Sequence, residues 1–287
     1  MSQHSSGAGQ RTVSELLERV IKELSATSSS GRLDAELLLA HVLDCPRSFM
    51  RSHSEETVAP AATARIHELM ARRRAGEPVA YITGERDFWS LELELDASVL
   101  IPRPETELLV EVALEVLPVE AHSRVLELGT GSGAIALAIA SERPNVRVTA
   151  TDNATPALAV ACQNAERLEI SNVSFLAGSW YDPVGAMHFD LIVSNPPYVA
   201  ADDPALSTGD LRFEPKAALT PGRTGLEAIE QIAARACEHL RPGGWLAVEH
   251  GAEQGAAVRA LFSQHGLSTI RTRQDLAGHE RVTAGRH

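Results

Sequence analysis

No stretch of this 287-residue chain is both long and free of charge, and its amino terminus shows no basic start followed by an apolar segment. A membrane-spanning helix needs about 20 consecutive apolar residues and a signal peptide needs a cationic, then apolar, leader. Neither a membrane span nor export is therefore expected, and a cytoplasmic location is. Cysteine is scarce: Cys45, Cys162 and Cys237 are odd in number and unpaired in spacing, which excludes a disulfide framework and suits buried thiols in a reducing compartment. The eleven histidines form no metal pattern, because His67-Glu68 and His279-Glu280 each lack a second histidine at helical spacing. Ser132 is not the nucleophile of a Gly-x-Ser-x-Gly elbow, since Thr130 and Ala134 stand where the glycines should. Basic charge is also short, at 26 Lys and Arg against 38 Asp and Glu, a net −12. That balance argues against an enzyme that wraps duplex nucleic acid, for which phosphate neutralisation supplies most of the affinity. Residues 1–86 carry 11 basic and 11 acidic side chains, so the remainder holds the whole deficit.

What is present begins with Asn195-Pro196-Pro197-Tyr198, at the end of the apolar run Phe189-Asp190-Leu191-Ile192-Val193-Ser194. Two prolines fix φ and lack N–H groups, so this turn offers carbonyl acceptors and almost no backbone donors. A planar amino group, whether of an amide or a base, suits that environment. The Asn195 side-chain oxygen and the Pro196 carbonyl can accept its protons while the Tyr198 ring covers its flat face. As a bare tetrapeptide the motif could equally be a chain break after a buried strand.

Upstream, Val125-Leu126-Glu127-Leu128-Gly129-Thr130-Gly131-Ser132-Gly133 leads into the apolar segment 134–140. An aliphatic strand, a glycine turn and a helix start form a nucleotide-binding βα unit. With Asp152 ending the next strand, the same residues also fit a dinucleotide fingerprint. Two details favour S-adenosylmethionine. Glu127 at the strand end suits a cationic methionine moiety and would repel a diphosphate, and hydride transfer has no use for Asn-Pro-Pro-Tyr at a later strand end.

Together with Glu-Leu-Gly-Thr-Gly-Ser-Gly-Ala-Ile-Ala-Leu-Ala, the Asn-Pro-Pro-Tyr motif resembles the HemK/PrmC family, the release factor glutamine N5-methyltransferases. The likeness extends to Asp34-Ala-Glu-Leu-Leu-Leu, Gly76-Glu-Pro-Val-Ala-Tyr-Ile-Thr-Gly84, Phe88-Trp89, Ile101-Pro-Arg-Pro-Glu-Thr-Glu107, Arg212-Phe-Glu-Pro215 and Glu280-Arg-Val-Thr283, from about residue 12 to the end of the chain. Asn-Pro-Pro-Tyr alone is shared with adenine-N6 and guanine-N2 methyltransferases of nucleic acids, so the surrounding segments carry the assignment. The resemblance implies that Gly129, Thr130, Gly131, Ser132 and Gly133 wrap the methionine part of the cofactor. It further implies that Asp152 takes the ribose hydroxyls, that Trp180 lies by the adenine, and that Asn195 serves both cofactor and substrate. Pro196, Pro197 and Tyr198 would complete the pocket for a substrate glutamine. A core aromatic and a helix cap are the plain alternatives for Trp180 and Asp152. The implied substrate is the Gly-Gly-Gln loop of class-one peptide chain release factors, methylated by a monomer without direct nucleic-acid contact. An amino methyltransferase acting on a base, and a relative with a decayed site, are the competing readings.

Periodicity gives the organisation. Thr12-x-x-Glu15 is a capping box for a helix burying Leu16, Leu17, Val20, Ile21 and Leu24, and further helices are expected at 32–43 and 60–75. The Ser/Gly-rich residues 1–10 are expected to be disordered. Gly76-Glu77-Pro78 should end the bundle, and the alternation from Phe88 to Leu95 suits a β-hairpin. Arg72-Arg73-Arg74 reads as a solvated helix end or a contact site. Strands are expected near 124–128, 146–151, 172–177, 189–194, 244–249, 267–273 and 281–286, alternating with helices and ending in an antiparallel strand. The expected architecture is an α/β, doubly wound, Rossmann-like methyltransferase domain at 105–287, preceded by a helical substrate-recognition domain at 1–86 and a hairpin linker at 87–104.

Overall fold

The computed structural model describes residues 11–120 and 122–287, so the expectation for residues 1–10 lies outside the described residues. The chain divides after Gly84 into two compact units.

The first unit is helical: α1 (Val13–Leu24), α2 (Gly31–Leu43), α3 (Phe49–Ser52), α4 (Pro60–Arg74) and α5 (Val79–Thr83). The capping box of α1 is complete: Thr12 Oγ1 accepts from the Glu15 N–H at 3.2 Å and the Glu15 carboxylate accepts from the Thr12 N–H at 3.1 Å. Leu16, Val20 and Leu24 are fully buried with Leu38, Leu39, Ile66 and Leu69, while Leu17 and Ile21 flank that core half-buried. The basic run is largely internal to this unit. Arg72 pairs with Glu77, and Arg73 reaches the buried Asp34 carboxylate at 2.7 Å, joining the end of α4 to the start of α2. α4 stops before Gly76-Glu77-Pro78, but the helical unit continues past it. Pro78, at φ −57°, leads into α5, and Gly84 ends that helix in the left-handed region at φ +78°, where a side chain would be strained.

The second unit opens on a hairpin of β1 (Glu85–Phe88) and β2 (Leu91–Glu94). It starts three residues before the apolar alternation, because β1 reads Glu-Arg-Asp-Phe with only Phe88 buried and no alternation announces it. Asn164 fastens this hairpin to the glycine turn. Buried on α8 (Thr155–Arg167), it accepts from the Glu94 N–H at 2.8 Å and donates to the carbonyls of Glu94 and Ser132 at 3.0 Å each.

Seven strands form the large sheet: β3 (Arg124–Leu128), β4 (Arg147–Asp152), β5 (Val173–Ala177), β6 (Phe189–Ser194), β7 (Leu240–Glu249), β8 (Ser268–Gln274) and β9 (Glu280–Arg286). Their spatial order is β5-β4-β3-β6-β7-β9-β8. The first five run parallel, and β9 is antiparallel to both β7 and β8, as the short link before it requires. The remaining helices are α6 (Glu107–Val116), α7 (Ala134–Glu142), α9 (Lys216–Leu219), α10 (Glu227–His239) and α11 (Gly255–Gln264). One core under α10 and α11 contains Leu126, Phe189, Ile192, Ile232, Leu246, Val248 and Phe262, all fully buried. The strand order reverses between β3 and β6, where Leu128 faces Ser194 in register and Ser194 Oγ donates to the Leu128 carbonyl at 2.7 Å. The carboxyl ends of strands at such a reversal open a crevice for ligands, and both motifs arrive there. Among the described residues no helix is long and apolar enough to cross a membrane.

Candidate active site

A single cleft at this edge of the second unit is lined by Glu127, Gly129, Thr130, Gly131, Ser132, Asp152, Trp180, Asn195 and Pro197. Of the remaining expected site residues, Gly133, Pro196 and Tyr198 do not line it.

The glycine turn spends its own donors. The N–H groups of Gly129 and Thr130 both go to the Thr151 carbonyl, at 2.8 and 3.0 Å, that of Gly131 goes to Asp152 Oδ2 at 2.9 Å, and that of Gly133 to the Thr130 carbonyl at 2.9 Å. The Ala136 N–H, in the first turn of α7, is taken by Glu127 Oε2 at 3.1 Å. A diphosphate-binding turn works by aiming free N–H groups at the ligand; here those of Gly129, Thr130, Gly131, Gly133 and Ala136 are directed inward. Glycine is needed for different reasons along the turn. Gly131, at φ +55°, has open space where a side chain would stand, whereas a Cβ on Gly133, at φ +85°, would press on Leu137 and Ala161 at 3.1 and 3.2 Å. Gly133 thus seats α7 against α8.

Glu127 is wholly buried at the cleft wall. Its Oε2 accepts from the Thr130 hydroxyl at 2.5 Å, but Oε1 has no hydrogen-bond partner among the described residues. Burial pushes its carboxyl up to about 8, despite the hydrogen bonds from Thr130 and Ala136 that favour the ionised form. A buried carboxyl with one oxygen unclaimed is a place for a cation. Across the turn, Asp152 acts as a local tie, since its two oxygens accept from the N–H groups of Gly131 and Ala154 at 2.9 Å each. It still lines the cleft with acceptor capacity to spare. Trp180, at φ +44°, has its ring 3.6 Å from where a Gly129 side chain would begin, and its indole N–H donates to Gln231 at 3.0 Å.

At the other end, Asn195 Nδ2 donates to Thr106 Oγ1 at 3.1 Å. Its Oδ1 takes no hydrogen bond from the described residues. Pro196 is buried and Pro197 forms cleft wall. The Tyr198 hydroxyl donates to Glu249 Oε1 at 3.2 Å; burial, and after it the neighbouring Glu249 charge, keep the phenol well above its usual range. The Tyr198 carbonyl accepts from Gln254 Nε2 at 3.0 Å and abuts Gly225, whose φ of +78° and lack of side chain allow that approach.

Several lining residues carry no signal of their own. Ser98, Val99, Leu100 and Pro102 form one lip and Pro215, Ala217 and Ala218 another. Glu214 ties the lips together: buried, it accepts from the Ile101 N–H at 3.1 Å and pairs with Arg103. The segments Ile101–Glu107 and Arg212–Pro215 stand out by resemblance, but only the fold reveals that they meet. Among the described residues no group of three or more His, Cys, Asp or Glu side chains could hold a metal ion.

Residues 15–84 match the PrmC N-terminal domain profile and residues 105–222 the methyltransferase small domain profile. The release factor glutamine methyltransferase of Xylella fastidiosa (strain Temecula1) is 52% identical over 262 residues, covering 91% of this chain and 95% of that protein. The protein of the same description from Pseudomonas aeruginosa is 52% identical over 258 residues, covering 90% and 93%. A methyltransferase of Pyrococcus furiosus, 21% identical, shares the fold with a TM-score of 0.53 over 76% of this chain and 98% of its own.

Proposed function

This chain belongs to the release factor glutamine methyltransferase family, and from that premise we propose that it transfers a methyl group from S-adenosylmethionine to the side-chain amide nitrogen, N5, of the glutamine in the Gly-Gly-Gln motif of class-one peptide chain release factors. The observation that carries the choice of cofactor is the pairing of an inward-bonded glycine turn with the buried, half-satisfied Glu127 carboxyl. A diphosphate would lose the donors of Gly129, Thr130, Gly131 and Gly133 and would meet a buried carboxyl that it holds neutral; a methionine moiety with its positive charges would meet an acceptor and favour its ionised form. When bound, S-adenosylmethionine supplies an already activated sulfonium methyl.

In this reading Glu127, Gly129, Thr130, Gly131 and Ser132 hold the methionine part, with Gly133 setting the turn, and Asp152 and Trp180 hold ribose and adenine. The motif assigns the two N–H bonds of the substrate amide to Asn195 Oδ1 and the Pro196 carbonyl, between Pro197 and the Tyr198 ring; of these, Asn195 and Pro197 line the cleft in the free protein. A primary amide is a weak nucleophile because its nitrogen lone pair lies in the π system. Acceptors on both N–H bonds orient the nitrogen and localise that pair, and in-line transfer then needs chiefly a near-attack arrangement, with about 3 to 3.5 Å between the reacting atoms. The methylated amide nitrogen is strongly acidic and loses a proton to water, so no His, Lys or carboxylate base is required. The helical first unit grips the factor, and the enzyme works as a cytoplasmic monomer without contacting nucleic acid directly.

Transfer of labelled methyl to a folded release factor, its isolated Gly-Gly-Gln peptide, ribosomal RNA and single-stranded DNA tests this reading. The expected order is factor first, peptide slower and nucleic acids unlabelled, because remote docking lends binding energy to orientation at the amide. Label confined to a nucleic acid would overturn it.

A further inference from the structure

Glu249 ends β7 and does not line the cleft, yet it stands behind both side chains of the amide end. It is 1% exposed. Its Oε1 accepts from the Tyr198 hydroxyl at 3.2 Å, its Oε2 is buried with no hydrogen-bond partner among the described residues, and the Thr106 hydroxyl favours the ionised form of the same carboxyl. Thr106 Oγ1 is in turn the atom that receives Asn195 Nδ2.

The order of donors along this chain has one consistent direction. An ionised carboxyl can only accept, and a hydroxyl has a single proton. If the protons of Tyr198 and Thr106 both point to Glu249, Thr106 has only lone pairs left for Asn195. Asn195 must then turn its NH2 toward Thr106 and its oxygen toward the cleft. Without that constraint the amide could rotate by half a turn at almost no cost in shape, setting its NH2 against the NH2 of a substrate amide, donor against donor. Burying a carboxyl is costly, and a packed apolar side chain would serve stability as well or better; a directional role explains its presence at this point.

We infer that Glu249 is a positioning residue that acts through Thr106 to fix which end of the Asn195 side-chain amide meets the substrate, and through the Tyr198 hydroxyl to hold the tyrosine ring in place. This rests on the proposed role of Asn195 as acceptor for the substrate amide. Burial pushes the Glu249 carboxyl up to about 7, so near neutral pH it is poised between a purely accepting form and one that can also donate.

Steady-state kinetics on the full chain with release factor and S-adenosylmethionine, for Glu249→Gln, Thr106→Val and Thr106→Ser, tests the inference. Thr106→Val keeps the shape and removes the hydroxyl, and Thr106→Ser restores it. Glu249→Gln and Thr106→Val are expected to lower kcat by roughly 10- to 100-fold, with KM for the factor and Kd for the cofactor within about twofold of wild type. Thr106→Ser should stay within about threefold of wild-type kcat, and Thr106→Val should cause no further loss in an Asn195→Ala background. Should Glu249→Gln fail to fold, the contrast between the two Thr106 variants decides. Equal rates for Thr106→Val and Thr106→Ser, with Asn195→Ala inactive, would overturn the positioning relay alone. Full activity in Asn195→Ala would instead remove the acceptor role on which it rests.

Discussion

At the glycine end of the cleft, Glu127, the turn and Asp152 come from one strand–turn–helix–strand stretch, and their hydrogen bonds close within it: Thr130 to Glu127 three residues apart, Ala136 to Glu127 nine apart, Gly131 to Asp152 twenty-one apart. At the amide end, Asn195 is held by Thr106 from 89 positions away, and the Ile101 lip is held by Glu214 from 113 positions away. One end is a local motif that carries its own geometry; the other exists only once the sheet has brought distant segments to the same edge. Their energetic roles should separate accordingly. Substitutions at the glycine end should act on cofactor affinity, and substitutions at the amide end on the rate of transfer.

The largest effect is expected at Asn195. Asn195→Ala removes an acceptor that counts chiefly in the transition state, so kcat should fall by a factor on the order of 10² or more while thermal stability stays near wild type and cofactor affinity, to which Asn195 also contributes, falls far less. Single-turnover kinetics beside calorimetry checks this, and a parallel loss of cofactor binding would break the separation. Next comes Asp152→Ala, which should weaken cofactor binding by about 1.5 to 3 kcal/mol through lost charge-assisted hydrogen bonds. Part of that loss should come from the turn itself, since the Gly131 and Ala154 N–H groups lose their acceptors. Calorimetry giving an unchanged Kd, or tighter binding of NAD than of S-adenosylmethionine, would contradict the assignment of this end.

The smallest effect is a proton. With its carboxyl raised to about 8, Glu127 is mostly neutral at pH 7 in the free protein, and a cation seated beside it favours the ionised form. Cofactor binding at that pH should therefore release on the order of one proton, read from calorimetry in buffers of different ionisation enthalpy, and Glu127→Gln should abolish the release. The same shift has a consequence for stability. Because the folded value lies above the ordinary carboxyl value of 4.5, the stability contributed by neutral Glu127 is fully present below about 4.5 and is lost as pH rises through about 8. Urea midpoints of wild type and Glu127→Gln across that window should differ in slope in this direction.

The same contrast explains what was legible in the sequence. The strands β3 and β6 appear with the expected bounds, and the antiparallel final strand follows from its short link, because apolar runs bounded by glycine, proline and polar turns fix these elements locally. The hairpin is legible, but the start of β1 and the helix α5 are not: Glu-Arg-Asp-Phe has no alternating pattern, and a five-residue helix after Pro78 is too short to show a period. Within the cleft, Glu127 and Asp152 announce themselves by position at strand ends. Thr106 in its lining, and Glu214 and Glu249 behind it, do not, since a threonine or a glutamate says nothing until the fold supplies its partner. Gly133 shows the converse: its motif marks it for the cofactor, yet its space is taken by Leu137 and Ala161.

The central claim is that the acceptor end of this cleft presents a glutamine side-chain amide for methylation. Peptide-resolved mass spectrometry of a class-one release factor incubated with the full chain and S-adenosylmethionine tests it most directly. One added methyl group on the side chain of the Gly-Gly-Gln glutamine is predicted, absent without cofactor and lost with Asn195→Ala. A methyl group found at any other residue, or one that persists undiminished with Asn195→Ala, would contradict the account.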